Sequence, residues 1–147
     1  LGHKTYGDPA RSLANPPKSV SLSYGVRSRE FLAGLDLFEM AGFSVEIATD
    51  DGSAGHDGFV TELLVERMME SPPDAIYCCG PEPMMSAVSV IAQASGINCW
   101  LSLETPMACG FGICFSCVTP VRMDDGSWDY RRTCVEGPVF PAEALSL

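Results

Sequence analysis

Residues Ala75–Ile91 read AIYCCGPEPMMSAVSVI: five mostly apolar residues, a Gly-Pro turn, then apolar residues at helical spacing. The nearly all-apolar run Ala75–Cys79 predicts a strand covered on both faces. Pro83 suits the first turn of a helix, where its missing N–H leaves no bond unmade. Met84, Val88 and Ile91 predict the buried stripe of that helix. A strand passing through a short turn into a helix is the unit of a parallel sheet flanked by helices.

The unit repeats on both sides. In SVSLSYG (19–25), Val20, Leu22 and Tyr24 alternate with serines and predict a strand. Ser28 is placed to cap a helix through Ala41, with Phe31, Leu35 and Phe38 on one face and Gly42 ending it. SVEIAT (44–49) predicts a second strand, followed by the turn DDGSAGHDG (50–58). FVTELLVERMME (59–70) carries Val60, Leu64 and Met68 four apart and stops at Pro72-Pro73. NCWLSL (98–103) predicts a fourth strand. After Leu103, glycines and cysteines replace helical periodicity, and VTPVRMDDGSWDYRRT (118–133) predicts a hairpin turning at Asp125-Gly126.

The expected fold class is therefore α/β, an open parallel sheet flanked by helices, plus a small Cys-rich C-terminal module with a β-hairpin. Three segments are expected: an irregular leader over 1–19 with Gly7, Pro9, Pro16 and Pro17, an α/β domain over 20–104, and the Cys-rich module over 105–147.

Composition narrows the function classes. Nineteen acidic residues against nine basic ones give a net charge of −10 over 147 residues. Phosphate-rich partners need clustered Lys and Arg, so neither nucleic acid nor an anionic membrane is an expected partner. No apolar run approaches the roughly 18–20 residues that span a bilayer. The first twenty residues lack the apolar core of an export signal. Seven cysteines, an odd number, then disfavour a disulfide scaffold and favour a reducing cytoplasm.

Ligands of open parallel sheets bind at the carboxyl ends of the strands. Gly25, Arg27 and Ser28 offer a small residue, a cation and a helix N-terminus suited to phosphate. Thr49 and Asp50 offer a carboxylate for ribose hydroxyls. Cys79, Gly80, Pro81 and Glu82 form a tight turn where a flat ring can approach the backbone. The same residue types are ordinary in such turns, and no G-x-G-x-x-G follows a strand, so a nucleotide site and plain turns both remain open. Asp50 argues for NAD over NADP, whereas Arg27 and Arg29 argue the other way. No catalytic residue is expected: His56 sits in a Gly/Asp loop and reads as exposed. Cys78 and Cys99 read as small core residues. Cys79, beside a helix N-terminus, is placed to be a mildly activated thiol.

Cys109, Cys114, Cys117 and Cys134 have the spacing C-x4-C-x2-C-x16-C. Zinc modules pair their cysteines in two separated knuckles, which fits poorly. The spacing fits the plant-type [2Fe–2S] pattern. Gly110 and Gly112 supply the unusual dihedrals that turn N–H groups towards sulfur. Phe111, Ile113 and Phe115 are placed to exclude water, to dock a partner, or simply to pack. Structural zinc and a disulfide-bearing loop stay as alternatives. A nicotinamide exchanges a hydride and a [2Fe–2S] centre takes one electron, so a flavin is needed to split the pair. These 147 residues show no flavin domain.

YGVRSRE, ATDDGSAGHDGFVTELL, CCGPEPMM, LSLETPMACGFGICFSC and RRTCVEGPVF together resemble the electron-transfer subunits of class 1B dihydroorotate dehydrogenases, within the ferredoxin–NAD(P)+ reductase superfamily. The resemblance spans roughly residues 20–145, and the Cys loop with CVEGPVF is its most specific part. It implies an FAD-binding barrel, an NAD-binding α/β domain and a C-terminal [2Fe–2S] domain. It also implies electrons arriving from a catalytic FMN-containing dihydroorotate dehydrogenase subunit and leaving to NAD+ in pyrimidine biosynthesis. By the same resemblance CGPEPMM lies near the nicotinamide, and the four cysteines are the cluster ligands. The barrel with its Arg-x-Tyr-Ser/Thr signature, and the first strand and Gly-rich turn of the nicotinamide domain, are not in this sequence. The chain thus reads as a fragment or truncation that does not turn over alone. A related reductase subunit serving a hydrogenase or transhydrogenase, and a zinc-bearing interaction module, are the competing expectations.

Overall fold

A computed structural model of the protein describes residues 17–147. The expected leader lies outside the described residues up to position 16. The described residues form two compact units that divide between Arg67 and Met68.

In the first unit, β1 (Ser21–Val26), β2 (Ser44–Thr49) and β3 (His56–Asp57) make a parallel sheet in the order β1-β2-β3. The β1–β2 register runs from Ser21↔Ser44 to Val26↔Thr49. The crossover between them is not the single helix expected over Ser28–Ala41. It is a 3-10 turn, Arg29–Phe31, then α1, Leu35–Met40. Leu32 is extended and Gly34 adopts φ +67°, an inexpensive conformation for glycine where a helical glycine would be unfavourable. The break turns Phe31 outward, 55% exposed, while Phe38 keeps its inner position edge-on to Phe43 at 5.7 Å. α2 (Val60–Glu70) begins against β1 and crosses the dividing point. A Cβ on Gly25 would stand 2.6 Å from that of Val60, so Gly25 is the gap that lets α2 approach the strand.

In the second unit, β4 (Ala75–Cys79), α3 (Glu82–Ser95) and β5 (Asn98–Ser102) make the predicted parallel unit, with register Ala75↔Asn98 to Cys79↔Ser102. β8 (Val139–Pro141), which sequence reading did not anticipate, adds antiparallel to β5 at Leu101↔Phe140. β6 (Val118–Arg122) and β7 (Trp128–Arg132) form the predicted hairpin around Asp125-Gly126. Gly96 at φ +66° ends α3. The buried stripe of α3 is Met85, Val88 and Ala92, not Met84, Val88 and Ile91. Both triplets satisfy a 3.6-residue period about Val88, and Met84 instead lays its methyl over Gly80. Leu101, Leu103, Ile76, Phe140 and Ala142 complete the core of this unit. Within it β4 is covered on one face only: Tyr77 is 72% exposed and stacks on Trp100 at 5.1 Å.

The parallel strands and flanking helices expected from the sequence are present, with pairing among the described residues divided between two three-stranded sheets and the hairpin.

Candidate functional site

The sixteen residues between Cys117 and Cys134 are the β6–β7 hairpin with its flanking positions. Its turn is closed by Met123 N donating to Ser127 O at 2.8 Å, and Asp125 accepts from both N–H and hydroxyl of Ser127. Because Val118 pairs with Arg132, the hairpin returns the chain to where it began. Thr133 N extends the ladder to Cys117 O at 2.8 Å, and the Thr133 hydroxyl donates to the same carbonyl at 3.1 Å. Thr133, fully buried, also shares a hydroxyl hydrogen bond with Thr105. The result is a Cys117 Sγ to Cys134 Sγ distance of 3.0 Å.

The other two thiols belong to the loop. Phe111 N and Cys114 N point at Cys109 Sγ from 3.4 and 3.5 Å. The N–H of Cys114, then that of Phe111, then the Cys114 thiol hold Cys109 well below the usual thiol range, at about 6. Cys117 is also lowered, chiefly by the Cys134 thiol, while Cys134 is raised by Cys117, so the pair favours the thiolate on Cys117. Thiolates, not thiols, bind metal, so this electrostatic setting suits metal ligation.

The sulfurs of Cys117 and Cys134 thus lie together, and that of Cys109 is met by the N–H groups of Phe111 and Cys114. Among the described residues no three His, Cys, Asp or Glu side chains gather round one point that would hold a single ion. A binuclear centre asks two thiolates of each metal, and the Cys117–Cys134 pair fits that demand for one of them. The loop carries exposed Phe111, Ile113 and Phe115 on its outer side, none of them buried in the core of the module.

Beside the cage, an open cleft of about 760 Å³ lies at the carboxyl ends of β4 and β5. Its walls include Gly80, Pro81 and Glu82 from the β4–α3 turn, Glu104 and Thr105 after β5, and Thr119 from β6. Cys79 is the exposed last residue of β4. Of the sequence candidates, this cleft gathers Gly80, Pro81 and Glu82. Thr105 and Thr119 escaped sequence reading because nothing in their local pattern distinguishes them from loop and strand hydroxyls.

In the first unit, Arg27 and Asp50 follow directly on the neighbouring strands β1 and β2. Asp50 N donates to Val26 O at 3.1 Å and Asp51 N to Arg27 O at 3.2 Å. Both side chains are exposed. Thr49 is fully buried, and its hydroxyl bonds both the N–H and the carbonyl of Ala54, bracing the turn. Ser28 Oγ donates to Glu30 at 3.3 Å. Arg29 is taken up by the turn: its guanidinium donates to Ser53 O and its N–H to Ser53 Oγ at 2.8 Å. Arg27 is exposed beside it.

The remaining expectations are simple to place. His56 is partly covered and bonded to Glu62 at 2.6 Å rather than free in solvent. Burial pushes the Cys78 thiol up to about 11 and raises Cys99, as befits small core residues. No helix among the described residues is long and apolar enough to cross a membrane.

Comparison with known proteins follows the same division of chemistry. Residues 10–90 match the family described as oxidoreductase NAD-binding domain, and residues 104–146 match the iron–sulfur cluster binding domain of dihydroorotate dehydrogenase B. A dihydroorotate dehydrogenase B (NAD(+)) electron transfer subunit homolog of Aquifex aeolicus is 41% identical over 94% of this chain and 51% of its own length. The electron transfer subunit from Caldanaerobacter subterraneus is 39% identical over 93% of this chain and 54% of its own length. The chain thus spans about half the length of these curated relatives. Among solved structures, a chain from work on flavin-based electron bifurcation by an NADH-dependent reduced ferredoxin–NADP oxidoreductase superposes with TM-score 0.73 at 29% identity, over 87% of this chain and 44% of that one. The chain therefore belongs to the oxidoreductase NAD-binding domain family, and its residues 104–146 are similar to the iron–sulfur cluster binding domain of dihydroorotate dehydrogenase B.

Proposed function

We propose that this chain is the nicotinamide-binding and cluster-bearing part of an NAD+-type dihydroorotate dehydrogenase electron-transfer subunit, working in pyrimidine biosynthesis. The observation that carries this reading is the contact of the Cys117 and Cys134 sulfurs, with loop N–H groups turned onto Cys109, beside a cleft at the strand ends. The four thiolates would hold a [2Fe–2S] centre, which when bound supplies one-electron exchange between a flavin-containing catalytic partner subunit and an FAD outside these residues.

The chain's own residues prepare the site. The N–H groups of Phe111 and Cys114 favour the thiolate form of Cys109 before any metal arrives. Gly80, Pro81 and Glu82 would form the floor on which a nicotinamide ring lies, with Cys79 at its edge. Arg27 and Ser28 would meet phosphate and Asp50 a ribose hydroxyl, on a turn shaped by Gly25 and Thr49. With Arg29 bonded to Ser53 and Arg27 assigned to the phosphate, the carboxylate of Asp50 supports NAD over NADP. The domain limits follow from the same reading, with the α/β domain over 20–104 and the cluster module over 105–147. The odd number of cysteines, with four of them assigned to the cluster, supports a reducing, cytoplasmic setting.

The 29% identity to the bifurcating oxidoreductase chain favours a second reading, an NAD(P)H–ferredoxin reductase component, less strongly than the 41% identity above favours the first. One experiment separates them. The anaerobically purified chain is mixed with a purified flavin-containing dihydroorotate dehydrogenase catalytic subunit and dihydroorotate. Bleaching of its visible absorbance within turnover times is expected. A centre that dithionite reduces but dihydroorotate with the catalytic subunit does not would refute the assignment.

A further inference from the structure

Arg132 is held from three sides beside the cysteine cage. Its Nη1 donates to Gly112 O at 2.6 Å, and Gly112 lies midway between Cys109 and Cys114. Its guanidinium carbon stands 5.5 Å from the centre of the Phe115 ring, between Cys114 and Cys117. Its Nη2 reaches Glu136 Oε1 at 3.4 Å, and Glu136 Oε2 accepts from the Arg132 backbone N–H at 2.7 Å. Two residues on is Cys134. One cation thus touches the loop on both sides of Cys114 and belongs to the segment that carries the fourth cysteine. Its side chain is 26% exposed, so water screens its charge only in part.

We propose that Arg132, oriented by Glu136, is a positioning residue of the cage and sets the reduction potential of the centre it holds. This rests on the [2Fe–2S] reading above. Reduction adds one electron, from the partner's flavin in the reaction or from dithionite in a titration, and Arg132 exchanges neither proton nor bond. A fixed positive charge bonded to the loop that carries the thiolates favours the reduced, more negative state. Glu136 opposes it with a negative charge at the guanidinium's far arm. The two residues therefore act on the potential with opposite signs, although losing either loosens the same loop.

The test is a redox titration, followed by visible absorbance or electron paramagnetic resonance, on the chain and on Arg132→Gln, Arg132→Lys and Glu136→Gln. Iron and acid-labile sulfide are assayed in each. Arg132→Gln is expected to lower the potential by about tenfold in the reduced-to-oxidised ratio, which is about 59 mV for one electron. Glu136→Gln is expected to raise it. Arg132→Lys keeps the charge without the planar fork. It should stay near the original potential yet release iron to a chelator faster. If Arg132→Gln holds no iron, the Lys and Glu136→Gln variants decide by the same signs. Potentials that do not move, or that move in the same direction for Arg132→Gln and Glu136→Gln, overturn the proposal. A parent chain with no acid-labile sulfide fails the [2Fe–2S] reading itself, whereas a normal parent centre with unmoved variants fails only Arg132.

Discussion

Gly112 and Gly110 both take positive φ, +75° and +67°, but their surroundings differ. A Cβ at Gly112 would lie 2.6 Å from Val135 Cγ2, against the turn that bears Cys134, whereas one at Gly110 would meet nothing within 4 Å. Gly110→Ala should therefore carry only the backbone cost, about 1 kcal/mol, and keep its iron. Gly112→Ala adds a steric clash on the cage and should lose iron to a chelator several-fold faster. Equal iron release from the two variants would contradict this packing. His56 offers a second check. Its bond to Glu62, with Glu66 and Asp57 nearby, raises its pKa above 6.5. The pair is thus complete below the unfolded value near 6.5 and weakens as pH rises through the higher folded value. An NMR titration should show that raised value, and Glu62→Gln should bring it back towards 6.5.

Among the elements, Gly25 shows how a strand and a helix are fitted together. The sequence suggested a phosphate turn there; the structure shows Val60 of α2 filling the space a side chain would need. Gly25→Ala should destabilise the chain by about 1–3 kcal/mol through overpacking, and Val60→Ala should restore part of that loss in the double variant. Urea unfolding of the four proteins measures it, and strictly additive losses would contradict the contact. The four main strands and two of the three helices were legible because period and turn chemistry agree at each. The helix over Ser28–Ala41 was not, because a glycine at position 34 can either sit in a helix or leave it, and only the packing of Phe38 on Phe43 decides. The stripe of α3 slipped by one position for a related reason, since Val88 belongs to both possible faces. β8 is three residues long and pairs with a strand some forty positions earlier, a contact with no local signal. The four cysteines proposed to hold the centre were singled out by their spacing alone. Arg132, Glu136, Thr105 and Thr133 were not, because their roles come from where the hairpin delivers them.

For the molecule as a whole, the cage and the cleft of the second unit share one piece of chain. Leu103–Met107 lines the cleft, leads into the Cys loop, and ties to the hairpin through Thr105 and Thr133. The hairpin turns at Asp125-Gly126, close to the midpoint between Cys117 and Cys134, so ordinary β pairing closes the cage. The central claim is that this closure serves a binuclear iron–sulfur centre. The most direct test is the iron and acid-labile sulfide content of the anaerobically purified chain and of Cys134→Ser. The account predicts two iron and two sulfide per chain in the parent, and a strongly reduced content in the variant. Zinc without sulfide in the parent, or an unchanged centre in Cys134→Ser, would contradict it.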